Sequence, residues 1–148
     1  MAGLAAAFGS GAMTNTIADV EKSDVILITG SNTTENHPVL SAFVKRAVTK
    51  KTAKLIMVDP RRIKMTGFAD MWIRPNLDTD VAWINGMMHV IIKEAFFDNA
   101  FVENLTVGFE ALNQVVEKYG SSLFRVASTY EESISRVLMG RLRRSMRQ

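Results

Sequence analysis

Two short polar stretches carry the residues best suited to binding chemistry. The first is Gly30-Ser31-Asn32, with Glu35 and Asn36 just beyond; the second is Asp59-Pro60-Arg61-Arg62. Each follows an apolar run. Gly30 has no Cβ, so the backbone there can approach a ligand closely. Asn36 or His37 can cap a helix that has Pro38 in its first turn, where a missing N–H costs nothing. The free N–H groups of that turn favour an anion. A carboxylate such as Asp59 at a strand tip suits ribose hydroxyls, and Arg61 and Arg62 suit phosphate or the face of a base. The spacing therefore describes a nucleotide held at two neighbouring strand ends, with Asp59 to Arg62 as one side. The plainer alternative is a capping loop followed by solvated arginines. Only one glycine of a G-x-G-x-x-G fingerprint is present, which argues against an ordinary NAD loop. A third triplet, Asp78-Thr79-Asp80, precedes a long apolar-periodic segment. Asp78 and Thr79 suit a helix N-cap; alternatively, Asp80 accepts two N–H bonds from a guanine edge.

These loops need a scaffold, and the apolar pattern supplies one. Val25 to Ile28 is short and rich in β-branched residues, the mark of a strand buried on both faces in a parallel sheet. Leu55 to Val58 repeats it. Between them Val39, Leu40, Phe43, Val44 and Ala47 recur at helical spacing, with Lys45, Arg46, Lys50 and Lys51 off that stripe or past its end. Strand, loop, helix and strand make a βαβ unit, whose ligands bind beyond the carboxyl ends of the strands. Ala69 to Ile73 reads as a third, weaker strand, stopped by Pro75.

The remaining segments read as helices. Ala2 to Ala12 holds a short one flanked by loop, and Thr14 or Asn15 caps another through Ile17, Val20 and Glu21. Ile63 to Gly67 forms a short helix or turn. Val81, Ile84, Met87, Met88, Ile91 and Ile92 mark a long helix ending at Ala95 or Phe96. Further helices start at Asp98 and span Phe109 to Tyr119. Glu131 to Arg147 reads as a basic amphipathic helix, most simply a docking helix with a solvated charged face. The expected fold class is α/β: a three-layer Rossmann-like unit with a mostly parallel sheet flanked by helices, plus a C-terminal basic helix. Residues 1–119 form one domain and 120–148 a divergent tail.

Composition removes several classes of function. The chain has 148 residues, 47% of them hydrophobic and 22% charged, ordinary for a globular domain. It has no cysteine, so no iron–sulfur ligation, thiolate metal site or cysteine nucleophile can come from it. Two well-separated histidines, His37 and His89, do not make a metal site. No apolar run is long enough to span a membrane, and the apolar start lacks the basic leader of a signal peptide, so a cytoplasmic location is expected. Past Gly120, six arginines face two glutamates, which places the excess positive charge in the tail. Two other readings follow from these features. One is a stand-alone guanine-nucleotide or NAD(P)-binding module. The other is a fragment whose basic tail binds nucleic acid or anionic lipid, with nucleic acid the less expected.

Taken together, four stretches closely resemble the catalytic subunit of molybdenum- or tungsten-dependent formate dehydrogenases, in the molybdopterin oxidoreductase family. They are Ala2 to Asn15, Gly30-Ser-Asn-Thr-Thr-Glu-Asn-His-Pro38, Asp59-Pro-Arg-Arg62, and Thr79-Asp-Val-Ala with Asn85-Gly-Met-Met. The resemblance runs from about Ala2 to Tyr119. It implies that the chain holds one guanosine arm of a bis(molybdopterin guanine dinucleotide) cofactor carrying molybdenum or tungsten. By that analogy Gly30, Ser31, Asn32, Glu35 and Asn36 line the first contact loop. Val58, Asp59, Pro60, Arg61 and Arg62 address ribose and phosphates, and Asp78, Thr79 and Asp80 address guanine. In that family the metal-ligating cysteine or selenocysteine precedes the equivalent of Ala2. The resemblance therefore implies a cofactor-binding piece of the enzyme, inactive alone. Its expected partners are the pterin–guanine nucleotide, the remainder of the enzyme and an electron-transfer subunit.

Overall fold

A single strand, β2 (Lys54–Val58), anchors the described structure: Leu55 and Met57 are fully buried, and Ile56 and Val58 nearly so. The structure is a computed structural model that describes residues 2–50 and 52–118. The expected domain 120–148 and its basic helix lie outside the described residues.

In chain order the elements are α1 (Ala2–Phe8), β1 (Val25–Thr29), α2 (Thr33–Asn36), α3 (Pro38–Thr49), β2, β3 (Met71–Ile73), α4 (Asp80–Lys93), α5 (Asn99–Leu105) and α6 (Phe109–Val116). Two 3-10 segments, Ile17–Lys22 and Lys64–Phe68, complete the described set. The strands form one parallel sheet in the order β1-β2-β3. For β2 and β3 the bonds show this directly. Asp70 N–H donates to Leu55 O at 2.9 Å, and Asp59 N–H donates to Ile73 O at 3.1 Å, so the pairing advances the same way along both strands. Asp70 also clamps the start of β3: its Oδ2 accepts from Leu55 N–H and its Oδ1 from Lys54 Nζ.

Two compact units share the chain. The first comprises Met1–Met57 and Arg62–Trp72, the second Val58–Arg61 and Ile73–Gln148. The core of the first is built on Val44, Leu55, Met57 and Met65, with Val20, Ile26, Ile28, Leu40 and Ile63 packed around them. In the second, α4 packs against α6, and the Phe97 and Phe109 rings meet at 5.2 Å between centroids.

Three expectations shift. The strand β1 is not buried on both faces: Val25 and Leu27 are each 42% exposed, while Ile26 and Ile28 turn to the core. One face of the strand packs on the core and the other is open, so the all-apolar run is covered on one face only. In α3 the buried residues are Ser41, Val44 and Ala47, while Val39 is 62% exposed. The buried stripe is thus rotated onto Ser41, Val44 and Ala47, at i, i+3 and i+6. In α4 the buried residues are Trp83 and Gly86 rather than Val81 and Ile84. The off-stripe cations of α3 are not idle: the Arg46 guanidinium lies 4.4 Å from the Phe43 ring and pairs with Glu21, and Lys45 lies over Phe68.

The expected cap at Thr14 or Asn15 falls instead at Thr16, which opens the 3-10 segment Ile17–Lys22. Asp19 Oδ2 accepts from the Thr16 hydroxyl at 2.6 Å and from Thr16 N–H at 3.1 Å, while Lys22 Nζ donates to Oδ1. The Thr16 hydroxyl, followed by Lys22, holds the Asp19 carboxyl well below its ordinary 3.8, at about 2. A carboxylate depressed in the folded state adds stability above its unfolded pKa and loses it as pH falls through the folded value. Asp19→Asn should therefore flatten the pH dependence of stability between 3.8 and about 2. Urea melts of the two proteins across that window, with a carboxyl titration by NMR, check this. An unchanged profile would show that the cap contributes nothing to folding.

Candidate functional site

The βα loop after β1 turns on Gly30, whose φ of +59° lies in the left-handed region that a glycine adopts without strain. No atom stands within 4 Å of where its Cβ would be, so the backbone there faces open space. The loop is not irregular throughout. Thr33–Asn36 forms α2, a single turn of helix, and Asn36 ends that turn instead of capping α3. His37 is the α3 cap position, without a side-chain cap bond, and Pro38 takes the first helical position as expected.

Within this loop the polar side chains engage one another. Asn32 Nδ2 donates to Glu35 Oε2 at 2.9 Å, and Lys64 Nζ sits 3.5 Å from Glu35 Oε1. Ser31 receives the Thr33 hydroxyl at 3.4 Å. Two oxygens here, Asn32 Oδ1 and Thr34 Oγ1, are shielded from solvent and have no hydrogen-bond partner. A loop with an exposed glycine and shielded, unpaired oxygens fits a close-lying polar ligand, because such atoms otherwise leave hydrogen-bonding capacity unused.

At the carboxyl end of β2 the chain makes a second built turn. Asp59 is 1% exposed, and its Oδ1 accepts from Arg61 N–H at 2.8 Å, the self-bonding that aspartate favours in turns. The Arg61 guanidinium approaches the same oxygen at 3.5 Å, yet its side chain remains 70% exposed. Arg62 is exposed as well. The carboxylate thus works inward, shaping the Asp-Pro-Arg-Arg turn, while the arginines face outward.

The third group sits before α4. Asp78 is exposed and adopts a left-handed φ of 60°, a conformation aspartate tolerates better than most residues. Thr79 is the N-cap, but its hydroxyl donates backwards to Asn76 O at 2.6 Å and makes no cap bond. Side-chain capping by Asp78 and Thr79 is therefore not what organises this turn; the left-handed residue and the Thr79–Asn76 bond do. Asp80 Oδ1 accepts the Trp83 indole N–H at 3.2 Å, leaving Oδ2 as the oxygen outside that bond.

By unit, Gly30, Ser31, Asn32, Glu35, Asn36 and Arg62 fall in the first, and Val58, Asp59, Pro60, Arg61, Asp78, Thr79 and Asp80 in the second. Lys64 was not legible as a partner of the loop after β1, and Thr34, though inside the stretch Gly30 to Pro38, was not singled out. A basic residue two positions past Asp-Pro-Arg-Arg was the signal available for Lys64. A cavity of about 330 Å³ between α4 and α6 is lined by His89, Ile92, Lys93, Asn113, Val116 and Glu117. None of the expected site residues lines it, so it belongs to the helix pair. Among the described residues no group of three or more His, Asp or Glu side chains is placed to hold a metal ion. No described helix is long and apolar enough to cross a membrane.

Comparison with known proteins bears on the family of the chain. A sequence profile described as molybdopterin oxidoreductase matches residues 3–134, running past Tyr119. The alpha subunit of the F420-dependent formate dehydrogenase of Methanocaldococcus jannaschii is 48% identical over 117 residues, which is 79% of this chain and 17% of that protein. Formate dehydrogenase H of Escherichia coli is 39% identical over 119 residues, covering 80% of this chain and 16% of the relative. Among solved structures, acetylene hydratase from Pelobacter acetylenicus superposes with a TM-score of 0.65 at 30% identity, over 87% of this chain and 19% of its own. The chain thus spans about a sixth of the length of these formate dehydrogenase relatives. The matched residues, with a parallel sheet carrying built polar turns at its strand ends, establish that the chain belongs to the molybdopterin oxidoreductase family.

Proposed function

We propose that this chain is the part of a formate dehydrogenase catalytic subunit that binds one guanosine arm of a bis(molybdopterin guanine dinucleotide) cofactor. The family itself implies a molybdopterin cofactor with molybdenum or tungsten. When bound, that group supplies the two-electron redox chemistry; the residues of this chain supply binding and orientation.

The observation that carries the reading is the turn after β2. A buried carboxylate pins Arg61 N–H at 2.8 Å and leaves two guanidinium groups outward at the carboxyl end of a parallel sheet. Ligands of open α/β sheets bind at that end, and guanidinium groups match phosphate geometry. In this reading Val58 to Arg62 address ribose and phosphates, Gly30, Ser31, Asn32, Glu35 and Asn36 form the first contact loop, and Asp78, Thr79 and Asp80 address guanine. Asp80 offers its Oδ2 to the base while Oδ1 stays on Trp83. The chain has no cysteine to ligate the metal, so formate oxidation requires a further part of the enzyme and this chain alone is inactive.

Equilibrium titration of the 148-residue chain with GDP, ADP and NAD tests the reading. GDP should bind at least roughly tenfold more tightly than ADP, the worth of one well-placed pair of base contacts. Equal affinity for GDP and ADP, or a preference for NAD, would overturn it.

A further inference from the structure

The Asn32–Glu35–Lys64 chain of contacts has a directional logic that the guanosine reading alone does not contain. A glutamate carboxylate only accepts hydrogen bonds, so the Asn32 carboxamide facing it at 2.9 Å must present its NH2 group. Its oxygen is thereby aimed the other way. That oxygen, Oδ1, is shielded from solvent and has no partner in the chain. A carboxamide oxygen only accepts, so the atom it awaits is a donor. Phosphate oxygens at neutral pH are acceptors. A nucleoside offers donors, in its sugar hydroxyls and its base N–H groups.

What fixes the carboxylate is Lys64. Glu35 uses Oε2 for Asn32 and Oε1 for Lys64 Nζ, at 3.5 Å, so the two contacts do not compete. Lys64 begins the 3-10 segment Lys64–Phe68, against which α2 packs. The lysine therefore ties the loop after β1 to the segment following Arg62. Both side chains are more than half exposed, Lys64 at 73% and Glu35 at 56%, so neither serves to fill the core.

We propose that Lys64 is a positioning residue which, through Glu35, holds the Asn32 carboxamide oxygen ready for a hydroxyl or N–H donor of the nucleoside. This rests on the guanosine-binding reading and refines it, since it assigns Glu35 an orienting role and specifies the polarity of the ligand atom at Asn32.

The test compares wild type, Lys64→Met, Lys64→Arg and Glu35→Gln in the full chain, with GDP and inorganic pyrophosphate as probes. Without ligand, Lys64→Met and Glu35→Gln should each move the Asn32 side-chain NH2 resonances in 15N NMR spectra, and Lys64→Arg should leave them near their wild-type positions. With ligand, Lys64→Met should weaken GDP by roughly 3- to 10-fold, the worth of one oriented hydrogen bond. Arginine should restore it, and pyrophosphate affinity should stay unchanged. Equal weakening of GDP and pyrophosphate would mean that Lys64 touches phosphate itself, and the proposal fails. Unmoved Asn32 resonances would also sink it, whatever the affinities. A wild-type chain that binds no GDP overturns the guanosine reading and this proposal with it. GDP binding that Lys64→Met leaves intact overturns only the present one.

Discussion

Truncating Leu55 to alanine should lower the unfolding free energy by about 2–5 kcal/mol, the range for deleting a packed leucine and leaving a partly unrelaxed cavity. Leu55 is 0% exposed and packs with Val44, Met57 and Met65, all within 2% of full burial. Its neighbours come from a helix and a 3-10 segment as well as the strand, so the vacated space cannot close by moving one element. Domains of this size hold only about 5–15 kcal/mol in total, so this single change removes a large part of the margin. A urea melt should show a lower midpoint with an unchanged slope. Val25→Ala is the matched control: that side chain is 42% exposed and should cost well under about 1 kcal/mol. Comparable losses at the two positions would mean that β2 is not the strand on which the core is assembled.

The second large effect is expected at Asp59. Alanine there removes the acceptor for Arg61 N–H in a buried turn, which should cost roughly 1–3 kcal/mol of stability. It should also weaken GDP by roughly 30- to 100-fold, because Arg61 and Arg62 lose the turn that presents them. Asparagine is the informative partner. Its carboxamide oxygen can accept the same N–H at the same place, so Asp59→Asn should recover most of the stability and hold GDP within about threefold of wild type. The prediction follows from the carboxylate's 1% exposure and its 2.8 Å bond to Arg61 N–H, which direct it into the turn. An asparagine variant as weak as alanine would show instead that the ligand needs the negative charge itself. Titration calorimetry alongside the urea melts separates the two.

Much of this was legible in the residues. The apolar run of β2 with its Asp-Pro stop, the placing of Pro38 in the first turn of α3, and the short β3 ending before Pro75 all follow from local chemistry. Such features are legible because backbone rules act over a few residues: proline fixes φ, and β-branched runs favour strands. The stretches Gly30 to Asn36 and Asp59 to Arg62 were marked out as candidates by residue type and by position after apolar runs, and Asp78 to Asp80 by its position before one.

Other properties needed the fold. That β1 exposes Val25 and Leu27 while β2 is buried throughout depends on which segments cover each face of the sheet, and two apolar runs of similar length carry no sign of that. Likewise, which face of α4 is buried was settled by Trp83 and Gly86, not by the larger apolar stripe. The direction of a polar side chain is decided last of all. Asp59 turns inward, Asp80 shares an oxygen with Trp83, and Asn32 is oriented by a glutamate that a distant lysine restrains. Residue type fixes what a group can donate or accept, whereas only the arrangement of its neighbours decides which of those bonds is already made and which is left for a ligand.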